Sequence, residues 1–165
     1  QTLAAERQDE IAAEKQSATL AVAVDNAEVL KYPEGVVEDY MAQQIDYVRY
    51  YASQYGMSYA DFVTAATGET TETYEAAVRE GAEQSVKEEL VIWAIAGAEN
   101  FTISEERRAE ELKSLLDYYD YDDLASMCEA YGFTEDYMTR TMTYSIYYVD
   151  VLDMLVENAT FTGAK

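Results

Sequence analysis

The scarcity of helix breakers constrains the fold of this chain more than any other feature of its sequence. Its 165 residues include one proline and seven glycines, so long stretches contain nothing that interrupts a helix. Within those stretches the apolar residues recur about every 3.6 positions, as in helices, rather than about every 2, as in strands. The sequence therefore predicts an all-α fold.

Helix starts and stops divide the chain into seven predicted helices. Pro33 and Glu34 suit a first helical turn, because proline loses no hydrogen bond there and glutamate meets the positive end of the helix dipole. Gly68 is suited to end a helix, and Ser104 to begin one. The predicted helices cover about residues 3–24, 33–55, 71–98, 104–117, 121–131 and 135–157, with a short third helix between a cap at Ser58 and the stop at Gly68.

Two tight corners between helices use the same chemistry. In the stretch QYGMSYADF, Gly56 can take the left-handed conformation that ends a helix, Met57 can fold back onto the last turn, and Ser58 can cap the next helix. The stretch AYGFTEDYM places a glycine, a phenylalanine and a threonine in the same three roles. The repetition predicts two related helical hairpins.

The second predicted helix carries a stripe of side chains that we expect to be packed. Tyr47 and Tyr50 fall beside this stripe, so part of the aromatic surface should stay accessible. The residues of the stripe are spaced three or four positions apart, which places them on one face of the helix. They are Val37, Tyr40, Met41, Gln44, Val48, Tyr51, Ala52 and Tyr55.

The charge balance narrows the classes of partner. The chain has 33 acidic and 11 basic residues, and its net charge of -22 repels nucleic-acid phosphates and anionic membrane surfaces. We therefore expect no nucleic-acid partner, and a partner selected by electrostatics would be basic. A solvated acidic surface that only keeps the chain soluble is the commoner case. The longest strongly apolar run, residues 90–98, is about half of what spans a bilayer, so we predict no membrane insertion.

The residues that support catalysis or metal binding are sparse. There is no histidine, and Cys128 has no second cysteine, so zinc and an internal disulfide are excluded and Cys128 is expected to be a small buried hydrophobe. The stretch DYYDYDD lacks the glycine and glutamate of a calcium loop, which leaves at most a weak adventitious cation site. We predict no enzyme activity, no cofactor and no metal. Because the chain opens on Gln1 without a leader, we interpret it as an excised domain or a processed product.

Tyrosine and methionine are unusually frequent, with 16 and six copies. They suit an adaptable binding surface, because tyrosine combines apolar area with a polar tip and methionine is flexible and polarizable. They cluster at the two corners and on the last helix. For any single tyrosine, ordinary core packing is the alternative interpretation.

Several short motifs follow one another along the chain in a specific order: LAVAVDNAEV, YPEGVVEDYMAQQI, a Gly-apolar-Ser corner, Thr-Gly-x-Thr, ISEERRAEEL and VLDMLVENATF. From about residue 5 to 161 this order resembles the C-terminal domain of bacterial trigger factor, whose fold is related to the peptide-binding part of SurA-type periplasmic chaperones. The resemblance implies an elongated multi-helix body with two helical-hairpin arms. It implies one domain over 1–165, in which 1–31 form the body helix and exit, 32–98 the first arm, 99–150 the second arm, and 151–165 the return and tail.

The resemblance also implies a function. We expect an ATP-independent chaperone domain that binds unfolded or nascent polypeptide in an apolar cradle, with no prolyl isomerase domain in this chain. The net charge of -22, rather than the resemblance, adds a preference for basic segments. Homodimerisation is a further option. The location is cytoplasmic by family default, or extracytoplasmic if the parent protein is exported or lipid-anchored. The predicted client-binding residues are Tyr47, Tyr50, Met57, Tyr59, Phe62, Tyr118, Tyr119, Tyr121, Phe133, Tyr137, Tyr144, Tyr147 and Tyr148.

Two other classes of function compete with the chaperone interpretation. In the first, the chain is a structural or interaction module of a larger trigger-factor-like isomerase protein and binds no client of its own. In the second, it is an enzyme whose pocket uses only carboxylates, tyrosines and lysines. The sequence favours no position for such a pocket.

Overall fold

The computed structural model describes residues 3–161, apart from the side chains of Leu3, Ala4, Glu6 and Asp9. The ends of the predicted body helix and tail, residues 1–2 and 162–165, lie outside this range. Residues 3–161 form seven helices and no strand, so the predicted all-α fold is confirmed. The helices are α1 (Leu3–Asn26), α2 (Val36–Gln54), α3 (Tyr59–Thr67), α4 (Thr71–Ala98), α5 (Glu105–Tyr119), α6 (Leu124–Tyr131) and α7 (Glu135–Asn158).

The first corner confirms the chemistry predicted for it. Gly56 has a φ of 65°, in the left-handed region, and the Met57 N–H donates to the carbonyl of Ala52 at 2.9 Å. The Ser58 hydroxyl accepts a hydrogen bond from the Asp61 N–H at 3.1 Å. The left-handed Gly56 turns the chain at the end of α2, and the Met57 bond satisfies a carbonyl there that has no partner within the helix. The Ser58 bond satisfies an amide at the start of α3 that likewise has no partner within the helix.

The second corner repeats the arrangement between α6 and α7. Gly132 has a φ of 73°, and the Phe133 N–H donates to the Cys128 carbonyl at 2.9 Å. The Thr134 hydroxyl accepts from the Tyr137 N–H at 3.1 Å. Both corners are therefore specified by local residues, as predicted.

The start of α2 was predicted wrongly. Pro33 was placed in the first helical turn, but the helix begins at Val36. Gly35 precedes it with φ 80° and ψ -17°, a left-handed conformation that a continuous right-handed helix does not contain. The Val36 N–H instead closes a turn onto the Pro33 carbonyl at 3.4 Å.

The start of α6 also lies later than predicted, at Leu124 rather than at residue 121. Asp120 ends α5 in the left-handed conformation, with a φ of 59°. Asp123 then caps α6, because its carboxylate accepts a hydrogen bond from the Ser126 N–H at 2.7 Å. Two aspartates thus take end and start roles that glycine and serine take elsewhere in the chain.

The contacts group the described residues into two compact units, residues 27–90 and residues 3–26 with 91–161. The 27–90 unit has a core of Val37, Ala82 and Val86, against which Tyr40 and Met41 pack. Nearby, the Tyr40 hydroxyl donates to the buried carboxylate of Glu89 at 3.1 Å. The division into a body and two arms remains a prediction.

The predicted stripe of α2 is packed over only part of its length. Val37 and Ala52 are buried, as predicted. Tyr55 was expected in the packed stripe but is 71% exposed, Tyr51 is 39% exposed, and Gln44 is also exposed. Tyr55 stacks on Phe62 of α3, with ring centroids 5.9 Å apart, and this contact covers only part of its side chain.

In the other unit, α1 packs on α7, and α5, α6 and α7 pack on one another. Ile92 and Val151 are fully buried, and each such side chain contributes about 1.5–3 kcal/mol relative to an exposed one.

Cys128 is buried as predicted, and burial, aided by the charge of Glu135, raises the pKa of its thiol. A higher pKa means less reactive thiolate.

The sequence Asn-Ala occurs at Asn26-Ala27 and again at Asn158-Ala159, at the ends of α1 and α7. The side-chain amide of Asn26 donates to the Val22 carbonyl at 2.8 Å, and that of Asn158 donates to the Met154 carbonyl at 2.8 Å. Each asparagine is the last residue of its helix. Both helix ends therefore carry the same side-chain hydrogen bond to a carbonyl four residues back.

Candidate functional site

Six aromatic rings form a continuous row where α5, α6 and α7 meet. We call this set the aromatic row, and its members are Tyr118, Tyr119, Tyr121, Tyr131, Phe133 and Tyr137. The ring centroids of Tyr118 and Tyr119 are 4.9 Å apart, those of Tyr119 and Tyr131 5.7 Å, and those of Phe133 and Tyr137 5.2 Å. Such spacings are typical of edge-to-face and stacked aromatic pairs.

Most of the aromatic row is open to solvent. Tyr118 is 81% exposed, and Tyr119, Tyr131, Phe133 and Tyr137 are between 43% and 51% exposed. Tyr121 is half-buried. A contiguous apolar surface of this kind is uncommon on a protein that meets only water, so it marks a candidate interaction site.

Tyr131 holds the aromatic row together, although the sequence analysis did not choose it as a site residue. Its ring lies 5.7 Å from Tyr119, 6.1 Å from Tyr121 and 6.4 Å from Phe133. The signal for it was present, because Tyr131 immediately precedes the corner glycine Gly132. The turn at that glycine brings the end of α6 and the start of α7 together.

A cleft of about 380 Å³ lies between α5 and α7, beside the aromatic row. We call it the α5–α7 cleft, and it is lined by Glu111, Ser114, Leu115, Tyr118, Met138, Thr141, Met142 and Ser145. Tyr118 belongs to both the row and the cleft, which makes the two surfaces continuous. Met138 and Met142 were not predicted as site residues, although their spacing of four places them on one face of α7.

Of the three predicted residues on α7 beyond the cleft, two pack on the single tryptophan and the third packs on one of these two. Tyr147 and Tyr144 lie 5.4 Å and 6.4 Å from Trp93, and Tyr148 lies 5.9 Å from Tyr144. The Tyr147 hydroxyl donates to the Phe101 carbonyl at 3.3 Å. All three tyrosines are half-buried, so each offers less surface than the aromatic row.

The predicted residues of α2 are exposed. Tyr47 is 60% and Tyr50 59% exposed, and both rings pack on Tyr51, at 4.7 Å and 5.6 Å. The Tyr47 hydroxyl donates to the Tyr51 hydroxyl at 3.3 Å.

Met57, Tyr59 and Phe62, at the first corner, are half-buried. The Arg49 guanidinium lies 5.4 Å from the Tyr59 ring centroid, and Phe62 stacks on Tyr55 at 5.9 Å. Burial raises the pKa of Tyr59. The thirteen predicted residues thus fall into two sets, with five in the 27–90 unit and eight in the other unit.

A second cleft, of about 460 Å³, lies in the 27–90 unit near the start of α2. Its lining includes Arg79, which contacts Glu38 at 3.2 Å and Glu83 at 3.9 Å. A backbone hydrogen bond and the contact with Arg79 lower the pKa of Glu38. The ion pairs already satisfy much of this charged surface, which makes the cleft a poorer site for an apolar ligand.

Residues 3–161 contain neither a metal-binding group of side chains nor a membrane-spanning helix. Among those residues, no three histidine, cysteine, aspartate or glutamate side chains are grouped as a metal ion would require. None of the described helices is long and apolar enough to cross a membrane.

Comparison with known protein families identifies the family of this chain. Residues 1–157 match the sequence model of the family described as bacterial trigger factor protein (TF) C-terminus. The chain belongs to this family. The predicted resemblance to trigger factor is therefore confirmed, and the aromatic row and the α5–α7 cleft are features of a trigger factor C-terminal region.

Individual relatives agree with this assignment. The chain is 32% identical to a trigger factor of Pediococcus pentosaceus over 67% of the chain and 25% of the relative. It is 38% identical to one of Pelotomaculum thermopropionicum, over 61% of the chain and 22% of the relative. For trigger factor 1 of Desulfitobacterium hafniense the identity is 34%, over 70% of the chain and 26% of the relative.

The chain spans about a quarter of the length of the curated trigger factors that it matches. No solved structure matches it.

Proposed function

We propose that this trigger factor C-terminal region is an ATP-independent chaperone domain that holds unfolded or nascent polypeptide. The observation that carries the proposal is the exposed aromatic row, which continues through Tyr118 into the α5–α7 cleft. Apolar segments of an unfolded chain lose water contact when they lie on such a surface, and this supplies binding energy without a nucleotide. A cytoplasmic location, the family default, belongs to the same proposal.

The residues of the aromatic row, the α5–α7 cleft and the rest of α7 have different parts in this proposal. The exposed rings of Tyr118, Phe133 and Tyr137 make first contact with a client, together with Tyr131. Tyr144, Tyr147 and Tyr148 are half-buried near Trp93, so they offer a client less surface. Met138 and Met142 line the cleft and adapt to different client side chains, because methionine is unbranched and flexible.

A preference for basic clients follows from the local charge. Residues 105–140 contain eleven acidic and four basic side chains, so the aromatic row lies in a negative field. Lysine and arginine of a client are attracted to this field and also bind the faces of tyrosine rings. Because the acidic residues are largely exposed, salt should screen the attraction.

The test is suppression of aggregation of a chemically unfolded model protein, without nucleotide, at low and high salt. The double variant Tyr118→Ser with Tyr131→Ser should lose much of the suppression. The control is Val149→Ser, which removes a 50% exposed apolar side chain of α7 outside the aromatic row. If a well-folded sample of the unmodified chain suppresses no aggregation at either salt concentration, the chain is a structural module and the proposal is wrong.

A further inference from the structure

The two methionines of the α5–α7 cleft differ from the methionine of the core. Met138 and Met142 are half-buried and line a cleft that is open to solvent. Met127 is 2% exposed. A small oxidant in water can therefore reach the two cleft thioethers without unfolding the protein, whereas the Met127 sulfur is covered.

We infer that Met138 and Met142 form an oxidation site at which hydroperoxides switch off the apolar cleft. This inference rests on the proposed function for its consequence, but not for its chemistry. A thioether sulfur attacks one peroxide oxygen, the O–O bond breaks, and an S–O bond forms. Sulfur is oxidised to the sulfoxide, and hydrogen peroxide is reduced to water, with no net release of protons.

The surroundings of the two sulfur atoms favour a large effect of oxidation. The Thr141 hydroxyl donates its proton to the Tyr137 carbonyl at 3.0 Å, and the Ser145 hydroxyl donates to the Thr141 carbonyl at 3.1 Å. A hydroxyl has one proton, so neither group can donate to a sulfoxide oxygen without breaking its present hydrogen bond. Glu111, also in the lining, offers a carboxylate that accepts hydrogen bonds. A sulfoxide oxygen is a strong acceptor, so it draws water into the cleft, and a client side chain must displace that water.

The consequence is a local loss of binding without loss of the fold. Displacing water from a polar group that finds no new partner weakens binding by roughly tenfold. Met138 and Met142 are half-buried, whereas Ile146 and Val151 on the same helix are in the core. The helical content should therefore stay unchanged.

Peptide mapping by mass spectrometry tests the chemical part on the full chain treated with hydrogen peroxide. Sulfoxides at Met138 and Met142 should form several-fold faster than at Met127 under conditions that keep the circular dichroism spectrum native. Equal rates at the three positions, or faster oxidation of Met127, would overturn the oxidation site. This result does not depend on any client.

The functional part is tested by the affinity for a fluorescent, permanently unfolded lysine-rich polypeptide, with each protein compared with its own untreated form. The unmodified chain should bind about tenfold more weakly after peroxide, whereas Met138→Leu with Met142→Leu should show no fall. Met154→Leu, a control for a half-buried methionine outside the cleft, should fall as the unmodified chain does. An equal fall in the double leucine variant would contradict the switch. Absence of binding before treatment would instead contradict the proposed function, and the mapping result would still stand or fall alone.

Discussion

Tyr147 lies edge-on to Trp93, with ring centroids 5.4 Å apart and ring planes at 86°. Its hydroxyl also donates to the Phe101 carbonyl at 3.3 Å. One side chain of α7 therefore contacts both the last part of α4 and the segment that follows it. The arrangement is specific because the ring and the hydroxyl are satisfied by different partners.

Substitution of Tyr147 should separate these two contacts. Tyr147→Phe removes the hydrogen bond and should lower the free energy of unfolding by about 0.5–1.5 kcal/mol. Tyr147→Ala also removes the ring, and should lower it by about 2 kcal/mol or more and shift the emission of Trp93 to the red. Trp93 is the single tryptophan, so urea unfolding followed by its fluorescence measures both effects. Equal losses in the two variants would show that the ring packing adds nothing.

Replacement of glycine by alanine should change the stability of the chain in opposite directions at two positions. Gly132 has a φ of 73°, and a Cβ there would meet nothing within 4 Å, so Gly132→Ala carries a backbone penalty of about 1–2 kcal/mol without a clash. Gly81 lies inside α4 with equally open space, and Gly81→Ala should stabilise the chain by about 0.5–1 kcal/mol. Thermal unfolding of both variants measures the difference. A Gly132→Ala variant as stable as the unmodified chain would contradict the left-handed corner.

The corners were predictable from the sequence because their chemistry is local. Ser58 and Thr134 each satisfy an amide three residues away, so no distant part of the chain is needed to place them. Pro33 shows the limit of the same reasoning. Proline and glutamate suit a first turn, but the left-handed Gly35 two residues later delays the helix, and nothing in a first-turn rule excludes that alternative.

The candidate site was predictable only in part, because it depends on contacts between helices. The abundance of tyrosine indicated an aromatic surface, but not which rings would touch, and the central position of Tyr131 depends on how α5, α6 and α7 meet. Tyr55 has the spacing of a packed residue, yet it stays 71% exposed because its contact with Phe62 covers only part of it. Met138 could not be identified as a site residue from the sequence, because the cleft that it lines also needs residues of α5 as its other wall.

Asp123 should make stability depend on pH in the acid range. The hydrogen bond from the Ser126 backbone lowers the pKa of Asp123 below its ordinary value of 3.8. The unfolded chain then binds the proton more tightly than the folded one, so this stabilisation is present above about pH 4 and is lost as the pH falls through the folded-state pKa. Asp123→Asn keeps a capping oxygen but cannot titrate, and should flatten this decline in melting temperature. The control Asp122→Asn removes a charge without removing the cap, and an identical effect there would contradict the assignment.

Arg107 and Asp150 should couple α5 to α7. A guanidinium nitrogen of Arg107 donates to the Asp150 carboxylate at 2.7 Å, and this hydrogen bond raises the pKa of Arg107. Because both side chains are partly exposed, we expect a coupling free energy of about 0.5–1 kcal/mol. A double-mutant cycle with Arg107→Gln and Asp150→Asn, measured by urea unfolding, gives this value directly. The coupling should shrink in high salt, and a value of zero at low salt would mean that the pair adds no stability.

Tyr131 should contribute more to client binding than to stability. Its side chain is 51% exposed, so Tyr131→Ala removes little core, and we expect a loss of about 1 kcal/mol in the free energy of unfolding. Its ring contacts three others of the aromatic row, so the same change opens a gap in the middle of that surface and should weaken binding of an unfolded polypeptide by about tenfold. Tyr131→Phe keeps the ring and should bind almost as the unmodified chain does. Fluorescence anisotropy with a labelled, unfolded polypeptide compares the three proteins, and equal affinities would remove the aromatic row from the proposed client site.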